Sequence, residues 1–262
     1  MNLPIYQVDA FASEVFKGNP AAVVPLEDWL SNEYLQAIAA ENNLSETAFF
    51  VKIHEEYHLR WFTPTVEVDL CGHATLATAH VLYEHLGYQG KHLVFNTRVG
   101  KLTVSKKDGL YTMNFPTDEL KVDDLNALTV GKNPIVIKEC FKGRDDYLLI
   151  LENQSAVEQF EPNLNAMKKL PARGFIVSAR GNQVDFVSRG FFPAAGVDED
   201  PVTGSAHTTL TPYWYAIFEK KDMVAQQLSK RGGTVYCKYL NDRVEIAGHA
   251  ITYLMGEIYI KK

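Results

Sequence analysis

One internal repeat constrains this chain more than any other feature. The stretch WFTPTVEVDLCGHATLATAHVL, from Trp61 to Leu82, can be laid on GFFPAAGVDEDPVTGSAHTTLTPYW, from Gly190 to Trp214, so that Gly72 falls on Gly204, 132 residues later and half the chain away. In each copy an aromatic-rich strand ends at a proline, an acidic stretch follows, and a glycine opens a helix of small residues. Eleven positions separate Pro193 from Gly204 and eight separate Pro64 from Gly72, so the second copy is three residues longer here. A repeat at this spacing implies two similar domains. The chain has 262 residues, 46% of them hydrophobic, enough to bury one large core or two of about 130 residues each.

Strand signals dominate the rest of the chain. IYQVDAF, AAVVP, TAFFVKI, YHLRWF and HLVFNTRVGKLTVSKKDGLYTMNF are rich in β-branched and aromatic residues and are bounded by Gly, Pro, Asn or Asp, the pattern of short antiparallel strands. Two helices interrupt them: Asn32 to Glu41, with Leu35, Ile38 and Ala39 on one face, and Gly72 to about Leu86, ending before Gly87. The polar stretch TDELKVDDLNAL places a domain boundary near residue 118, with strands resuming at Ile135 to Lys138 and at Tyr147 to Leu151. The second half then reads as GFIVSA, VDFVSRGFF, a helix after Gly204, TVYCKYL, a hairpin turn at Asn241-Asp242, RVEIAG and a closing ITYLMGEIYI. Pro212, eight residues beyond Gly204, must kink or delay that helix.

Charge and cysteine usage exclude several classes. There are 26 Lys and Arg against 32 Asp and Glu, a net charge of −6, with no basic cluster, which argues against nucleic acid or an anionic membrane as partner. The start MNLPIYQVDAF has neither a basic leader nor an apolar segment, and no apolar run reaches the ~18 residues of a membrane span. A cytoplasmic location is the expectation. The three cysteines, Cys71, Cys140 and Cys237, have no CxxC spacing, so neither a disulfide framework nor a structural zinc site is indicated.

The chemistry concentrates at the two glycines. The first turn of a helix offers unpaired N–H groups and a partial positive charge, and a glycine there lets a carboxylate or enolate-like oxygen approach closely. Cys71, His73, Asp200 and Ser205 flank the glycines as candidates for proton transfer, together with a carboxylate brought in from elsewhere. A metal is not expected. His80 lies seven residues from His73, about 10 Å along a helix, whereas helical ligand pairs use spacings of three or four. A cysteine nucleophile is disfavoured because Cys71 and His73 are sequence neighbours, while a nucleophile and its base converge from separate elements. Alone, Cys71 and His73 read as a buried thiol and a helix cap; the second copy argues for more.

Four blocks, FKGNPAAVV (16–24), LSETAFF (44–50), FTPTVEVDLCGHATLATA (62–79) and GVDEDPVTGSAHTTLTPYW (196–214), closely resemble the phenazine-biosynthesis PhzF-like family. The resemblance spans nearly the whole chain. It implies the α+β, duplicated fold of diaminopimelate epimerase. That fold has two domains, each a curved antiparallel-rich sheet or open barrel around a central helix, with the active site in the interdomain cleft. The implied domains are 1–118, joined by the closing strand 253–262, and 119–252.

The resemblance also implies a cofactor-free isomerase that moves a proton within a small carboxylate-bearing substrate, and it puts the family's glutamate base on Glu46. By itself Glu46, at the start of an apolar strand, reads as a solvated edge residue. His73, Asp200 and Ser205 are implied as orienting or relay groups. Asn19, Cys71, Gly72, Thr203 and Gly204 are the implied substrate-binding positions, although Asn19 alone reads as a turn residue. No cofactor is expected, and relatives on this fold are often homodimers. Epimerases on this fold oppose two cysteines; here Cys71 faces Thr203 in the alignment, and a threonine hydroxyl is too weak an acid for that pair. Two alternatives stay open: an amino-acid epimerase or racemase using Cys71, and a non-catalytic small-molecule binding protein.

Overall fold

The protein is described by a computed structural model covering residues 1–124, 130–133 and 136–260. The chain forms two compact units, Met1–Asn114 with Ala247–Lys262, and Phe115–Ile246. The division falls at 114/115 and at 246/247, near the expected 118 and 253, and both cuts lie within strands, Leu110–Pro116 and Arg243–Gly248.

In the first unit the strands are β1 (Asn2–Ala10), β2 (Asn19–Leu26), β3 (Glu46–Ile53), β4 (Glu56–Phe62), β5 (Glu67–Val68), β6 (His92–Thr97), β7 (Gly100–Lys107) and β8 (Leu110–Pro116), with β18 (Ala250–Tyr259) returning against β1. Helix α1 (Asn32–Asn42) makes the crossover between parallel β2 and β3, as parallel neighbours require. Leu35, Ile38 and Ala39 pack on Val24, Leu26, Phe49, Val51 and Phe62 on one face of the sheet. Helix α2 (Gly72–Glu84) packs on β1, β2, β3 and β18. Every residue from His73 to Leu82 is buried, which is why the helix has no polar stripe. It stops at Glu84, two residues before the expected Leu86, and Gly87 then takes a positive φ of 70°. Residues 21 to 24 of β2 are buried throughout, which explains the unbroken AAVV run.

The second unit repeats this connectivity. Its strands are β9 (Lys121–Val122), β10 (Ile137–Lys142), β11 (Asp146–Leu151), β12 (Gly174–Arg180), β13 (Phe186–Phe192), β14 (Val197–Asp200), β15 (Asp222–Gln227), β16 (Gly233–Tyr239) and β17 (Arg243–Gly248). The order parallel, antiparallel, antiparallel, parallel, antiparallel joins β2–β3–β4–β5, β4–β6 and β6–β7 in one unit. The same order joins β11–β12–β13–β14, β13–β15 and β15–β16 in the other. Two short helices, Gln154–Glu158 and Leu164–Met167, replace α1 between the parallel strands. Each is capped by an asparagine, Asn153 or Asn163, whose side chain accepts from the third residue on. The expected strand start at Ile135 lies outside the described residues.

Helix α3 (His207–Phe218) begins three residues after Gly204, which sits in a turn, not at the first helical position. Pro212 is inside α3 and has no N–H to give to the Thr208 carbonyl. The Asp118 N–H donates to that carbonyl instead, at 3.1 Å, and the Thr209 hydroxyl reaches the Asp118 carboxylate at 3.2 Å. The proline thus frees an acceptor that fastens residue 118. At the expected hairpin, Asn241 has φ 68° and the Leu240 N–H donates to the Arg243 carbonyl at 2.8 Å.

One duplicated detail is finer than the sequence alignment. Arg60 of β4 forks onto Glu67 of β5 with bonds of 2.7 and 2.8 Å, and Arg189 of β13 forks onto Glu199 of β14 with bonds of 2.7 and 3.1 Å. The acidic stretch after each proline therefore ties each short strand back to the aromatic strand before it.

Candidate active site

In the first unit, three segments converge at the opening of α2. Cys71 is the residue before the helix, in extended conformation. Asn19 opens β2 after Gly18, whose φ of 64° and tight fit demand glycine, since a Cβ there would lie 2.1 Å from the Ala10 carbonyl oxygen. Glu46 opens β3, after α1 has ended at Asn43 in the left-handed region. The parallel register sets Glu46 beside Ala21 of β2, so the ends that carry Asn19 and Glu46 are neighbours.

His73 is the hub. Its Nε2 lies 3.1 Å from Glu46 Oε2 and its Nδ1 lies 3.2 Å from the Asn19 amide nitrogen. The Glu46 oxygen is off the N–H axis, so it makes no linear hydrogen bond there although it is buried. A carboxylate oxygen so placed is held close to the imidazole without being tied up by it. The Cys71 sulfur is 3.5 Å from Nδ1 and 4.0 Å from Nε2. A sulfur in line with either nitrogen's lone pair would be much farther from the other, so the thiol lies off both axes.

Burial is the largest influence on His73 and opposes its charge. The negative charge that Cys71 and Glu46 can carry at these short distances outweighs burial and holds His73 well above the ordinary imidazole value. Burial, then the Glu46 charge, pushes the Cys71 thiol up to about 11. At neutral pH the thiol keeps its proton, so Glu46 is the anion that matters to His73. Among the described residues, Glu46, Cys71 and His73 are the group that could converge on a metal ion, their ligand atoms lying within 4.8 Å of one another. The off-axis sulfur means that Cys71 would have to rotate to join the other two. His80 takes no part: it bonds Tyr111 at 3.1 Å and Thr252 at 2.9 Å.

In the second unit the counterpart is a braced loop. The Thr203 hydroxyl donates to Asp200 at 2.5 Å, and Gln227, only 1% exposed, accepts from the Thr203 N–H at 2.8 Å and donates to the Asp200 carbonyl at 2.7 Å. Ser229 donates to the Pro201 carbonyl at 2.7 Å. His207 donates from Nδ1 to the Thr203 carbonyl at 2.9 Å, and burial lowers it to about 4, so it is neutral. Ser205, beside Gly204, accepts from Arg173 Nη2 at 3.2 Å. Asp200, Thr203, Gly204 and Ser205 thus form one cluster, while Asn19, Glu46, Cys71, Gly72 and His73 form the other. Gln227 and Arg173 were not foreseen; a glutamine ending a strand and an arginine in PARGF carry no local signal.

A two-unit fold of this connectivity is that of the diaminopimelate-epimerase-like proteins. The chain belongs to the phenazine biosynthesis-like protein family (PhzC-PhzF), whose model matches residues 8–256. An uncharacterized isomerase of Pseudomonas aeruginosa is 48% identical over 98% of this chain and 99% of its own. The human phenazine biosynthesis-like domain-containing protein is 39% identical over 98% of this chain and 99% of its own. A crystal structure of a PhzF-family protein from Enterococcus faecalis superposes with a TM-score of 0.94 at 46% identity, covering 99% of this chain and 100% of that one. At the level of fold alone, a hydroxyproline epimerase from Agrobacterium vitis matches with a TM-score of 0.60 at 9% identity, over 98% of this chain and 92% of its own.

Proposed function

We propose that the protein is a cofactor-independent isomerase that moves a proton within a small carboxylate-bearing substrate, with Glu46 as the base that takes the proton and the acid that returns it. The observation that carries this reading is the buried Glu46–His73 contact of 3.1 Å, made by residues 27 positions apart and off the hydrogen-bond axis. A carboxylate held close to an imidazolium but not locked into a linear bond stays available to a substrate C–H, and the imidazolium steadies the charge it carries before it takes the proton. Asn19 lies against the other ring nitrogen, and with His73 charged it is the Asn19 amide oxygen, turned toward Nδ1, that accepts. Cys71 is a poor base here, because at neutral pH its thiolate fraction is on the order of 10⁻⁴. The resemblance extends supporting roles to Asp200 and Ser205, and the isomerase name of the Pseudomonas relative is in keeping with the reaction class.

The test is a screen of small carboxylic acids for deuterium uptake from D₂O. At least one acid should exchange a carbon-bound proton with the wild-type protein and fail to exchange with Glu46→Gln. Full exchange by the variant would sink the assignment, and binding of carboxylates without exchange in the wild type would favour a binding protein.

A further inference from the structure

Beside the glycine of the second unit three side chains meet and leave a cation with donors to spare. In the first unit the hub residue follows the glycine (His73), one contact comes from the residue opening β2 (Asn19), and another from the residue opening β3 (Glu46). In the second unit the residue after the glycine is Ser205, the residue opening β11 is Asp146, and Arg173 immediately precedes β12. These three also meet. Arg173 Nε donates to Asp146 Oδ1 at 2.9 Å, and Nη2 donates both to Asp146 Oδ2 and to Ser205 Oγ. Asp146 is 4% exposed, and the guanidinium carbon lies 5.3 Å from the centre of the Phe192 ring. The guanidinium is clamped on one edge and backed on one face.

A count of hydrogens shows what is left over. A guanidinium has five N–H groups and no acceptor. Three are engaged, and the two on Nη1 make no hydrogen bond among the described residues, on a side chain 43% exposed. Because arginine only donates, the Ser205 oxygen must accept, which leaves the Ser205 hydroxyl proton for another group. The nearby acids are occupied: Asp145 is paired with Arg144 at 3.4 Å, and Asp200 holds the Thr203 hydroxyl.

We propose that Arg173, together with the Ser205 hydroxyl, is the anion-recognition point of the second unit and takes a small organic carboxylate. The topological counterpart of Glu46 is Gly174, so the cation stands one residue before that place. A planar guanidinium with one edge fixed and further donors open suits a carboxylate better than a lysine would. The consequence for turnover rests on the isomerase reading; the binding itself does not.

The experiment titrates ¹⁵N-labelled full-length protein with benzoate, and with benzamide as its uncharged analogue. Benzoate should move the amide resonances of Gly204 and Ser205, and benzamide should not. The double variant Asp146→Asn/Arg173→Met, which leaves no buried acid unpaired, should weaken benzoate binding at least tenfold. Arg173→Lys, which keeps the charge but not the fork, should weaken it at least threefold and carries the test if the double variant does not fold. No response in the wild type, an equal response to benzamide, or unchanged affinity in the variants would overturn the proposal. Glu46→Gln separates the two readings: it should keep the benzoate response while losing deuterium exchange. Retained exchange with an intact response removes the Glu46 role alone.

Discussion

At the opening of α2 the side chains are a carboxylate, an imidazole, an amide and a thiol; around the corresponding turn of the second unit they are a guanidinium paired with a carboxylate, a hydroxyl, and a threonine in the thiol's place. The strands around them follow one connectivity, down to the Arg60–Glu67 and Arg189–Glu199 forks that tie each short strand to its neighbour. The scaffold has therefore kept its backbone plan while its chemistry diverged. In one half buried groups act on each other's protonation, His73 held up and the Cys71 thiol pushed up to about 11; the other half has an arginine, a hydroxyl and a second histidine. Arginine stays charged, the Ser205 hydroxyl stays protonated, and His207 stays neutral. On the proposed reading the first unit moves a proton and the second holds a ligand still.

The sharpest way to break this contrast is to remove the acid–base group of each half in turn. Glu46→Gln preserves shape and should lower deuterium exchange by about 10³-fold, the range expected of a lost general acid–base. Asp200→Asn, which keeps an acceptor for the Thr203 hydroxyl, should lower it by about tenfold, as for a lost charged hydrogen bond of roughly 1.5 kcal/mol. Equal losses in the two variants would mean that the chemistry is shared between the units.

The two buried histidines should respond to pH with opposite signs. His207 has its folded value lowered to about 4, so the unfolded chain binds the proton first. Stability from this group is full above about 6.5 and falls as the pH drops toward 4, by about 3 kcal/mol in all. For His73 the folded value is raised, so its contribution is full below about 6.5 and is lost as the pH rises through the folded value. Urea unfolding across the pH range should show His207→Phe flattening the acid limb and Glu46→Gln flattening the alkaline one. The same limb flattened by both variants would contradict the assigned directions.

How far the sequence reveals this arrangement depends on the range of each signal. The duplication, the strands, α1 and α2, and the turn at Asn241 are legible because a repeat and a hydrophobic period are local patterns. The asparagine caps of the two short helices were also present in the sequence, but helices of four or five residues have too little periodicity to register. The Glu46–His73 contact was accessible only through the family resemblance, since nothing near Glu46 distinguishes it from an edge residue. Arg173 and Gln227 were not legible at all, because their meaning comes from parallel pairing and from a loop 24 residues away in sequence. Pro212 lies inside a helix that runs unbroken from His207 to Phe218, and the use made of the freed Thr208 carbonyl needed the position of Asp118.

Gln227 offers a sharper probe of the second unit's role as a fixed support. It satisfies a buried N–H and a carbonyl on the Asp200–Thr203 loop, and leaving such groups unpaired costs about 1–3 kcal/mol. Gln227→Leu should lower unfolding stability by about 2 kcal/mol and raise KM for the exchanging substrate more than it lowers kcat. A loss confined to kcat would make the loop part of the chemical step.

The smallest effect is expected where the sequence first draws the eye. Cys71 is buried beside His73, and its thiol is pushed up to about 11 by that burial and by the charge of Glu46. To act as a base it would need to lose a proton in the presence of a carboxylate that repels the resulting thiolate, while the same carboxylate is the easier acceptor. Its counterpart in the other unit is Thr203, whose hydroxyl is already donating to Asp200, so the alignment supplies no second thiol for a cysteine pair. Cys71→Ala should therefore leave deuterium exchange within about threefold of wild type and lower stability by about 1 kcal/mol through the lost packing. If Cys71→Ala is as inactive as Glu46→Gln, the thiol belongs to the proton-transfer step, and the first unit works as a Glu–His–Cys group, with Glu46 needed to set the protonation of its neighbours.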